Sequence, residues 1–396
     1  MIKHLLKLVW NRKGANALIV AEIFISFLVV FAVLTGAVTL ISGWRRPIGF
    51  DYRNVWNVRM EFDIDGNQKA PPELHATVAR MIDELRGMPQ VESIAISNTP
   101  PYSFSTSEGT RGINGRDVTM LFDEVDDSFA EVMKLKVVAG RWFNKEDDAA
   151  QNQPIVVDTN TAMAIYDTTD VIGKTWEESE DTLYQIVGVV ASYRKDGEAS
   201  LPMNMVFRRI APDGRYGRLG NNLMIRLHPG TPAEFEPQLV AKLQQVAPKM
   251  TFRVRHLDQM RGNLLRTRLS PIILGGIVGS FLIAMVTLGL TGVLWQTVTK
   301  RTREIGLRRA LGASGPGVRR QILLEVALLA TIALVIGSVI VLQLPILGVF
   351  KLVTPPAFIA GFAGALATIY ALTVLCGLYP GWLASRLEPA DALRYE

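Results

Sequence analysis

Cysteine and histidine are both scarce in this sequence. Its single cysteine, Cys376, excludes an intramolecular disulfide within the 396 residues. The stretch "GASGPG", residues 312–317, does not match the G-x-S-x-G motif of a serine nucleophile. No H-E-x-x-H pair is present, and the histidines are too scattered for a metal pattern: His4, His75, His228 and His256. The sequence therefore predicts no catalytic residue, no metal site and no cofactor bound by this chain.

A complete phosphate-binding loop is also missing. "GKT" occurs at residues 173–175, but the glycine that such a loop needs five residues earlier is replaced by Thr168. "DIDGN", residues 63–67, resembles the start of a calcium loop. Gln68 stands where that loop requires glycine and Leu74 where it requires glutamate, so a hairpin turn is the better interpretation.

Charge is almost absent from four long runs of the sequence. Residues 15–41 contain only Glu22, residues 322–347 only Glu325, and residues 272–298 and 357–378 no charge at all. Each run exceeds the roughly 18 residues that identify a membrane-spanning helix, and helices buried in a soluble core seldom stay apolar on every side. We predict transmembrane helices at 15–42, 272–298, 322–347 and 357–380. Because no ionisable residue lies near the middle of a span, an ion-coupled carrier is disfavoured.

Basic residues concentrate beside two of these runs. Four Lys or Arg precede the first run and seven lie within residues 299–320, whereas residues 43–268 carry 28 basic and 31 acidic side chains. By the positive-inside rule, both termini are cytoplasmic and the large insert faces the periplasm of a double-membrane bacterium. The sequence pI near 9.2 then reflects membrane topology, and no nucleic acid partner is predicted. The first run is too long for a cleaved signal peptide and is expected to remain as an anchor.

The insert mixes helical and strand-like patterns. "LHATVARMIDELRGMP" and "PAEFEPQLVAKLQQVAP" have the periodicity of amphipathic helices, whereas "VESIAIS" and "YQIVGVVASY" are rich in β-forming residues. This alternation predicts an α+β domain at residues 43–257, inserted between the first and second transmembrane helices. Residues 258–271 predict a helical stalk. Residues 1–14 predict a cytoplasmic amphipathic helix that contacts membrane lipids.

The stretch "KRTREIGLRRALGASGPGVRR", residues 300–320, directly follows the second apolar run. Glu304 is spaced so that it can pair with Arg301 or Arg308 on one helix face. Gly312 suits a helix C-terminus, and Ser314 suits the start of a second short helix. The loop 299–321 therefore predicts two helices that meet at a corner, as a docking element for a cytoplasmic partner requires. The candidate coupling residues are Arg301, Arg303, Glu304, Ile305, Arg308, Arg309, Gly312 and Ser314.

Small residues on the second apolar run form a helix-packing motif. Gly275 and Gly279 have G-x-x-x-G spacing, which permits two helices to approach closely. Such a pair serves either a dimer interface or packing within one subunit, and the sequence leaves both open.

At these residues the chain resembles the MacB/FtsX family of ABC transporter permeases. The resemblance rests on "RTREIGLRRALGAS" after the second run and on the closing "EPADALRYE". "QVESIAIS", "LKVVAGRWFNKED" and "DVIGKTW" followed by "YQIVGVV" resemble the MacB-type periplasmic core. These segments extend in order over nearly the whole chain: amphipathic start, one span, large outer domain and three spans.

The resemblance implies a permease that works as a dimer with two ABC ATPase subunits, on which ATP and magnesium are bound. The second permease is either another copy of this chain or a paralogue, and residues 301–314 are the coupling surface. Transmembrane helices in this family transmit ATP-driven closure to the outer domain and do not conduct substrate. MacB carries an N-terminal ATPase, whereas this sequence begins about eleven residues before its first span, so we expect the ATPase on a separate chain.

Several functions are compatible with the resemblance. The leading hypothesis is export or extrusion from the periplasm or inner membrane, together with a membrane-fusion protein and an outer-membrane channel. The alternatives are an FtsX-like regulator that activates a periplasmic enzyme and a lipoprotein-release permease. Outside the family, a membrane-anchored periplasmic enzyme would need no ATPase partner. The residues do not identify the substrate.

Overall fold

The computed structural model describes residues 13–62, 71–179, 182–210, 219–300, 302, 307, 311, 314–347 and 353–385. The chain divides into two compact units. The membrane unit consists of Met1–Ser42 and Leu269–Glu396, and the outer unit of Gly43–Arg268.

The described helices and strands follow one another along the chain. The first part contains α1 (Lys13–Trp44), β1 (Val55–Glu61), α2 (Pro72–Arg86), β2 (Val91–Ser97), β3 (Ser107–Ile113), β4 (Arg116–Val125), α3 (Phe129–Met133), β5 (Val137–Gly140), β6 (Gln153–Asp158) and α4 (Thr159–Tyr166). The second part contains β7 (Thr175–Ser179), β8 (Thr182–Val190), β9 (Asn204–Arg209), β10 (Asn222–Leu227), α5 (Phe235–Val246), β11 (Thr251–His256), α6 (Leu257–Lys300), α7 (Gly315–Gln343) and α8 (Pro355–Ser385).

Four helices are long and apolar enough to cross a membrane, as the charge-free runs predict: α1, α6, α7 and α8. Aromatic side chains hold α1 and α8 together, because Phe31 meets Phe358 edge to face at 5.3 Å between ring centroids. Helix α6 includes the predicted stalk and the second span in one element and continues through Pro271.

The outer unit is built on a mixed sheet of eleven strands. The order is β11-β1-β10-β2-β4-β9-β6-β8-β5, with β3 on β4 and β7 on β8. The β4–β9 and β6–β8 pairs are parallel and the other pairs antiparallel. Strands β2 and β4 share one residue pair, Ser97 with Val125, so this contact joins two halves of the sheet.

Helices cover both halves, as the alternating sequence pattern predicts. On the first half, α2 and α5 bury Met81, Leu85 and Leu239 completely against β1, β2 and β10. On the second half, α3 buries Phe129 in one cluster, and α4 buries Ile165 in another. Because each helix buries one apolar face on a sheet, the outer unit is an α+β domain inserted between the first and second membrane helices.

Candidate functional site

Most of the predicted coupling surface lies outside the described residues. This holds for Arg301, Arg303, Glu304, Ile305, Arg308, Arg309 and Gly312, so their role stays a prediction. Ser314 is described: its backbone is extended, and its carbonyl accepts hydrogen bonds from the amides of Gly317 at 3.0 Å and Val318 at 3.2 Å. Helix α7 begins directly after it and continues into the third span. The second short helix predicted from Ser314 is therefore the first part of one long helix.

Two leucines of the loop 299–321, between α6 and α7, are strongly exposed. Leu307 is 53% and Leu311 81% exposed, and the Leu311 amide donates to the Leu307 carbonyl at 3.0 Å. This bond spans one helical turn, which places residues four apart on the same face. Because five basic residues accompany them between positions 300 and 309, these leucines are poorly suited to lie in hydrocarbon. An apolar pair set among cations suits a protein partner.

The start of α7 adds further positive charge. Arg319 and Arg320 are exposed in its first two turns, and its first turn contains no acidic residue. A helix N-terminus carries partial positive charge, so two guanidinium groups there are not explained by helix stability. Their charge is free to attract an acidic surface or to fix topology.

The predicted glycine pair packs inside the chain. A Cβ at Gly275 would lie 3.0 Å from Cγ2 of Val33, and one at Gly279 would lie 3.4 Å from Cγ1 of Val29. The missing side chains therefore let α1 and α6 approach each other within one subunit. A role of these glycines in dimer packing stays a prediction.

The acidic side chains inside the spans also have neighbours within the membrane unit. Glu22 on α1 faces α6, where a Cβ at Gly289 would lie 3.0 Å from its Oε2 atom. On α7, Oε1 of Glu325 accepts from Nε2 of Gln321 at 3.5 Å. Both contacts place the carboxylates against other helices or polar groups, as expected for charge within a span.

Two of the cavities of the outer unit are lined by described residues. One, of about 220 Å³, contains Arg208, which pairs with Glu124 at 3.5 Å and Glu178 at 3.2 Å. Its charged groups thus largely satisfy one another. The other, of about 230 Å³, has an apolar floor beside α2 that includes Val78 and Ile82. Within the ranges that the structure covers, no three His, Cys, Asp or Glu side chains are grouped as a metal site would require.

A further polar centre in the outer unit surrounds residues 194–200, which we call the junction segment. Arg194 is 2% exposed, and its guanidinium donates to the carbonyl of Gly43 at 2.8 Å and of Arg46 at 3.2 Å. It also donates to the carbonyls of Glu198, at 3.3 Å, and Ser200. Burial and the nearby charge of Arg46 lower the pKa of Arg194. Carbonyl dipoles compensate the buried cation here, and the nearby charge of Glu198 also favours its charged form.

The same segment binds the beginning of α6 through acidic side chains. Glu198 forms a bidentate ion pair with Arg261, with a shortest distance of 2.8 Å from Nη2 to Oε1. Burial opposes ionisation of Glu198, but the hydrogen bonds and charge of Arg261 outweigh it and hold the pKa of that carboxyl below its usual range. Asp196 accepts from Arg268 at 3.2 Å. Because the pairing is bidentate, it fixes the relative orientation of the two side chains in addition to their electrostatic attraction.

Sequence reasoning did not single out the junction segment. Its only local signal is the Asp196-Gly197 pair, a common turn dipeptide that follows β8. The partners of Arg194 lie about 150 residues away in sequence and those of Glu198 about 60. Contacts at such separation are set by the fold and have no periodic signature in one sequence.

Comparison with protein families identifies both parts of the chain. The family model described as MacB-like periplasmic core domain matches residues 17–242. The model described as FtsX-like permease C-terminal matches residues 276–389. The first match alone covers more than half of the chain.

Several curated proteins are similar in sequence. A probable syringafactin export ATP-binding/permease protein of Pseudomonas syringae pv. syringae is 27% identical over 287 residues, which are 70% of this chain and 43% of that protein. A macrolide export ATP-binding/permease protein of Burkholderia lata is 25% identical over 323 residues, 78% of this chain and 47% of that protein. The chain thus spans about half the length of the curated relatives it matches.

Among solved structures, the periplasmic region of MacB from Actinobacillus actinomycetemcomitans is similar. It is 15% identical, with a TM-score of 0.39, over 55% of this chain and 94% of that structure.

Proposed function

The chain belongs to the MacB/FtsX-like family of ABC transporter permeases, and we propose that it transmits ATP hydrolysis in the cytoplasm to its outer domain. In this proposal the outer domain faces the periplasm and both termini face the cytoplasm. The movement drives export or extrusion of a substrate from the periplasm or the inner membrane. ATP and magnesium bind to an ABC ATPase that docks on the loop between α6 and α7.

The exposed pair Leu307 and Leu311 carries the proposal. Both large apolar side chains are more than half exposed and would lose contact with water when a partner docks, which contributes about 25 cal/mol for each Å² buried. The surrounding Lys and Arg residues orient an acidic partner surface and speed its association.

Helix α6 supports transmission over conduction. It is one continuous helix from Leu257 to Lys300, with Pro271 inside it, so the chain between the proposed docking loop and the outer unit is helical throughout. The spans contain no ionisable side chain near their middle, which is expected when substrate does not cross through them.

Export is favoured over the alternatives by the names of the relatives. The similar proteins are named for export of syringafactin or macrolides, whereas none of those reported above is named for lipoprotein release or enzyme activation. We therefore propose that a membrane-fusion protein and an outer-membrane channel complete the assembly. The second permease would be another copy of this chain or a paralogue.

Two variants test the docking proposal, and each adds one negative charge just beyond one end of α7. Leu311→Glu adds a carboxylate to the proposed docking face, and Ile346→Glu adds one to a side chain that is similarly exposed, 85% against 81%, beyond the opposite end of the helix. We expect Leu311→Glu to abolish the Mg-ATPase activity that co-purifies with the tagged chain in detergent, while Ile346→Glu retains it. Equal ATPase activity in the two variants would contradict docking at this face.

A second variant separates docking from coupling. Glu304→Lys removes the acid that is spaced to pair with Arg301 or Arg308, and it leaves an excess of positive charge on the face. We expect the ATPase to remain bound while its stimulation by the permease is lost. Unchanged stimulation in Glu304→Lys would remove Glu304 from the coupling role.

A further inference from the structure

The first residues of the outer unit and its last helix are held by the same short segment. Arg194 binds the carbonyls of Gly43 and Arg46, where the chain enters the outer unit. Glu198, four residues later, binds Arg261 on α6, where the chain leaves it. Residues 43–46 and α6 are thus linked through residues 194–198, although more than 200 residues separate them in sequence.

The junction segment is itself fixed on the body of the domain. Nζ of Lys195 donates to the carbonyls of Ser103 at 3.0 Å and Ser105 at 2.6 Å, and the Tyr102 amide donates to the Lys195 carbonyl at 3.0 Å. Gly197 has a φ of +60°, and a Cβ there would lie 2.5 Å from the Tyr102 ring. Only glycine permits both this conformation and this approach, so the segment is a rigid bridge.

The two sides of the bridge differ in chemistry. On the side of residues 43–46, the buried guanidinium of Arg194 donates to the carbonyls of Gly43 and Arg46, and the Gly43 carbonyl also accepts from the Arg46 amide at 3.2 Å. On the side of α6, Glu198 and Arg261 are partly exposed, at 15% and 29% of their side chains, and water can replace each of them. The guanidinium of the first link is therefore shielded from water, and the second link is the more accessible of the two.

We propose that the junction segment is a clasp that makes residues 43–46 and the start of α6 move as one body, and that it opens at the Glu198–Arg261 pair. The proposal of a clasp depends on the proposed function in one respect only, namely that nucleotide at the ATPase drives the movement. The contacts of the clasp exist without nucleotide, so its structural and its nucleotide-dependent consequences are measured separately.

A matched ion pair serves as the control. Glu178 and Arg111 also form a bidentate pair in the outer unit, at 2.6 and 2.9 Å, with 13% and 34% exposure of their side chains. This pair has nearly the geometry and burial of Glu198–Arg261 but does not contact residues 194–200. Glu178 also accepts from Arg208 at 3.2 Å, so its loss removes two ion pairs of the outer unit and is the harsher test of general stability.

The first measurement needs no partner and no nucleotide. Spin labels at Arg45→Cys and Asn263→Cys, with Cys376→Ala, report the distance between residues 43–46 and α6 in the full chain in nanodiscs. We expect one narrow distance, which Glu198→Ala broadens and Glu178→Ala leaves unchanged. The charge exchange Glu198→Arg with Arg261→Glu should restore the narrow distance. A narrow distance in Glu198→Ala would overturn the clasp, as would equal broadening in Glu178→Ala.

The second measurement adds the co-purified ATPase with Mg-ATP and vanadate. If the clasp opens at Glu198, trapping shifts the distance in the unmutated chain, and Glu198→Ala shows the broadened state already without nucleotide. If trapping shifts no distance in the unmutated chain while the first measurement succeeds, release at Glu198 is overturned and the clasp is a fixed link, whereas the proposed transmission, which two segments moving together can serve, is not contradicted. A trapped shift of equal size in Glu198→Ala and in the unmutated chain overturns release at this pair.

Discussion

The membrane unit and the outer unit satisfy their buried polar groups in different ways. In the membrane helices, the partly buried Thr368 and the buried Thr373 donate to the carbonyls four residues before them, each at 2.8 Å. In the outer unit, Arg226 is 2% exposed and donates to the carbonyls of Val132, Arg53 and Asp51 at 2.6 to 2.9 Å. The first solution is local and the second joins distant segments.

The difference follows from the surroundings of each unit, which are hydrocarbon for the membrane helices and water for the outer unit. A threonine in a span can use a carbonyl of its own helix, so it costs little to place in hydrocarbon, whereas a buried ion there is expensive. A water-soluble domain folds from a hydrated chain and can draw several segments around one guanidinium, because that group offers five donors. The outer unit therefore depends on specific polar partners and the membrane unit on close packing.

Removal of Asp158 should produce the largest effect. This carboxylate is fully buried and accepts from the Thr161 amide and hydroxyl at 2.9 and 2.8 Å and from the Met205 amide at 3.1 Å. Asp158→Ala leaves the amides of Thr161 and Met205 buried without this acceptor, although the Thr161 hydroxyl can still donate to the Met205 carbonyl at 3.0 Å, and the loss should cost about 3–5 kcal/mol. Hydrogen exchange of the outer unit in the full chain would show this loss. The exposed Asp170→Ala should not change it, and a similar result for both variants would contradict the role of Asp158.

Asp123 should make the outer unit sensitive to pH. It is fully buried, and desolvation raises its pKa to about 7 despite hydrogen bonds from Thr99 and Ser97. Because the folded state binds the proton more tightly, the stabilising contribution is fully present below the unfolded pKa near 3.9 and is lost as pH rises through about 7.

The free energy of opening should therefore fall by about 2–3 kcal/mol between pH 5 and pH 7. Hydrogen exchange corrected for its intrinsic pH dependence measures this change. Burial raises the pKa of Asp126 to about 7 as well, so Asp123→Asn, which has no carboxyl group to titrate at position 123, should reduce the slope without abolishing it, whereas the exposed Asp83→Asn should retain the full slope. A profile with the same slope in Asp123→Asn would exclude Asp123 as its source.

Added side-chain volume at a tight helix contact should destabilise the membrane unit. A Cβ at Gly361 of α8 would lie 2.1 Å from Oγ1 of Thr35 on α1, whereas one at Gly292 of α6 meets nothing within 4 Å. Gly361→Ala should cost about 2 kcal/mol through overpacking, and Gly292→Ala should be neutral or slightly stabilising. Thermal denaturation of the full chain in detergent compares them. Equal melting temperatures would mean that packing of α1 on α8 is not tight.

An exposed ion pair of the outer unit should produce the smallest effect. Arg116 and Asp167 are 2.7 Å apart, with 50% and 68% of their side chains exposed. Asp167→Asn keeps a residue that tolerates the positive φ at this position and removes a screened charge pair. We expect no measurable change in melting temperature. A clear loss would show that exposed pairs also stabilise the outer unit.

Patterns within one element were predictable from the sequence. The helix at residues 74–85 follows from Leu74, Val78, Met81 and Leu85 on one face, and α2 buries the last three of them. The membrane-spanning helices were predicted because four long runs of the sequence contain almost no charged residue. Arg194 and Glu198 were not predictable, because nothing near them in sequence distinguishes a buried carbonyl-bound arginine or a bridging glutamate from surface charge.

Sequence alone predicted the four membrane-spanning segments, the type of each domain and the family, since these depend on the composition and period of continuous segments. The tertiary structure decided which distant groups meet: Gly275 against Val33, the single pairing between the two sheet halves, and the link from Gly43 through residues 194–198 to Arg261. Such contacts depend on how whole elements pack around a shared core, and a local pattern carries no information about that packing.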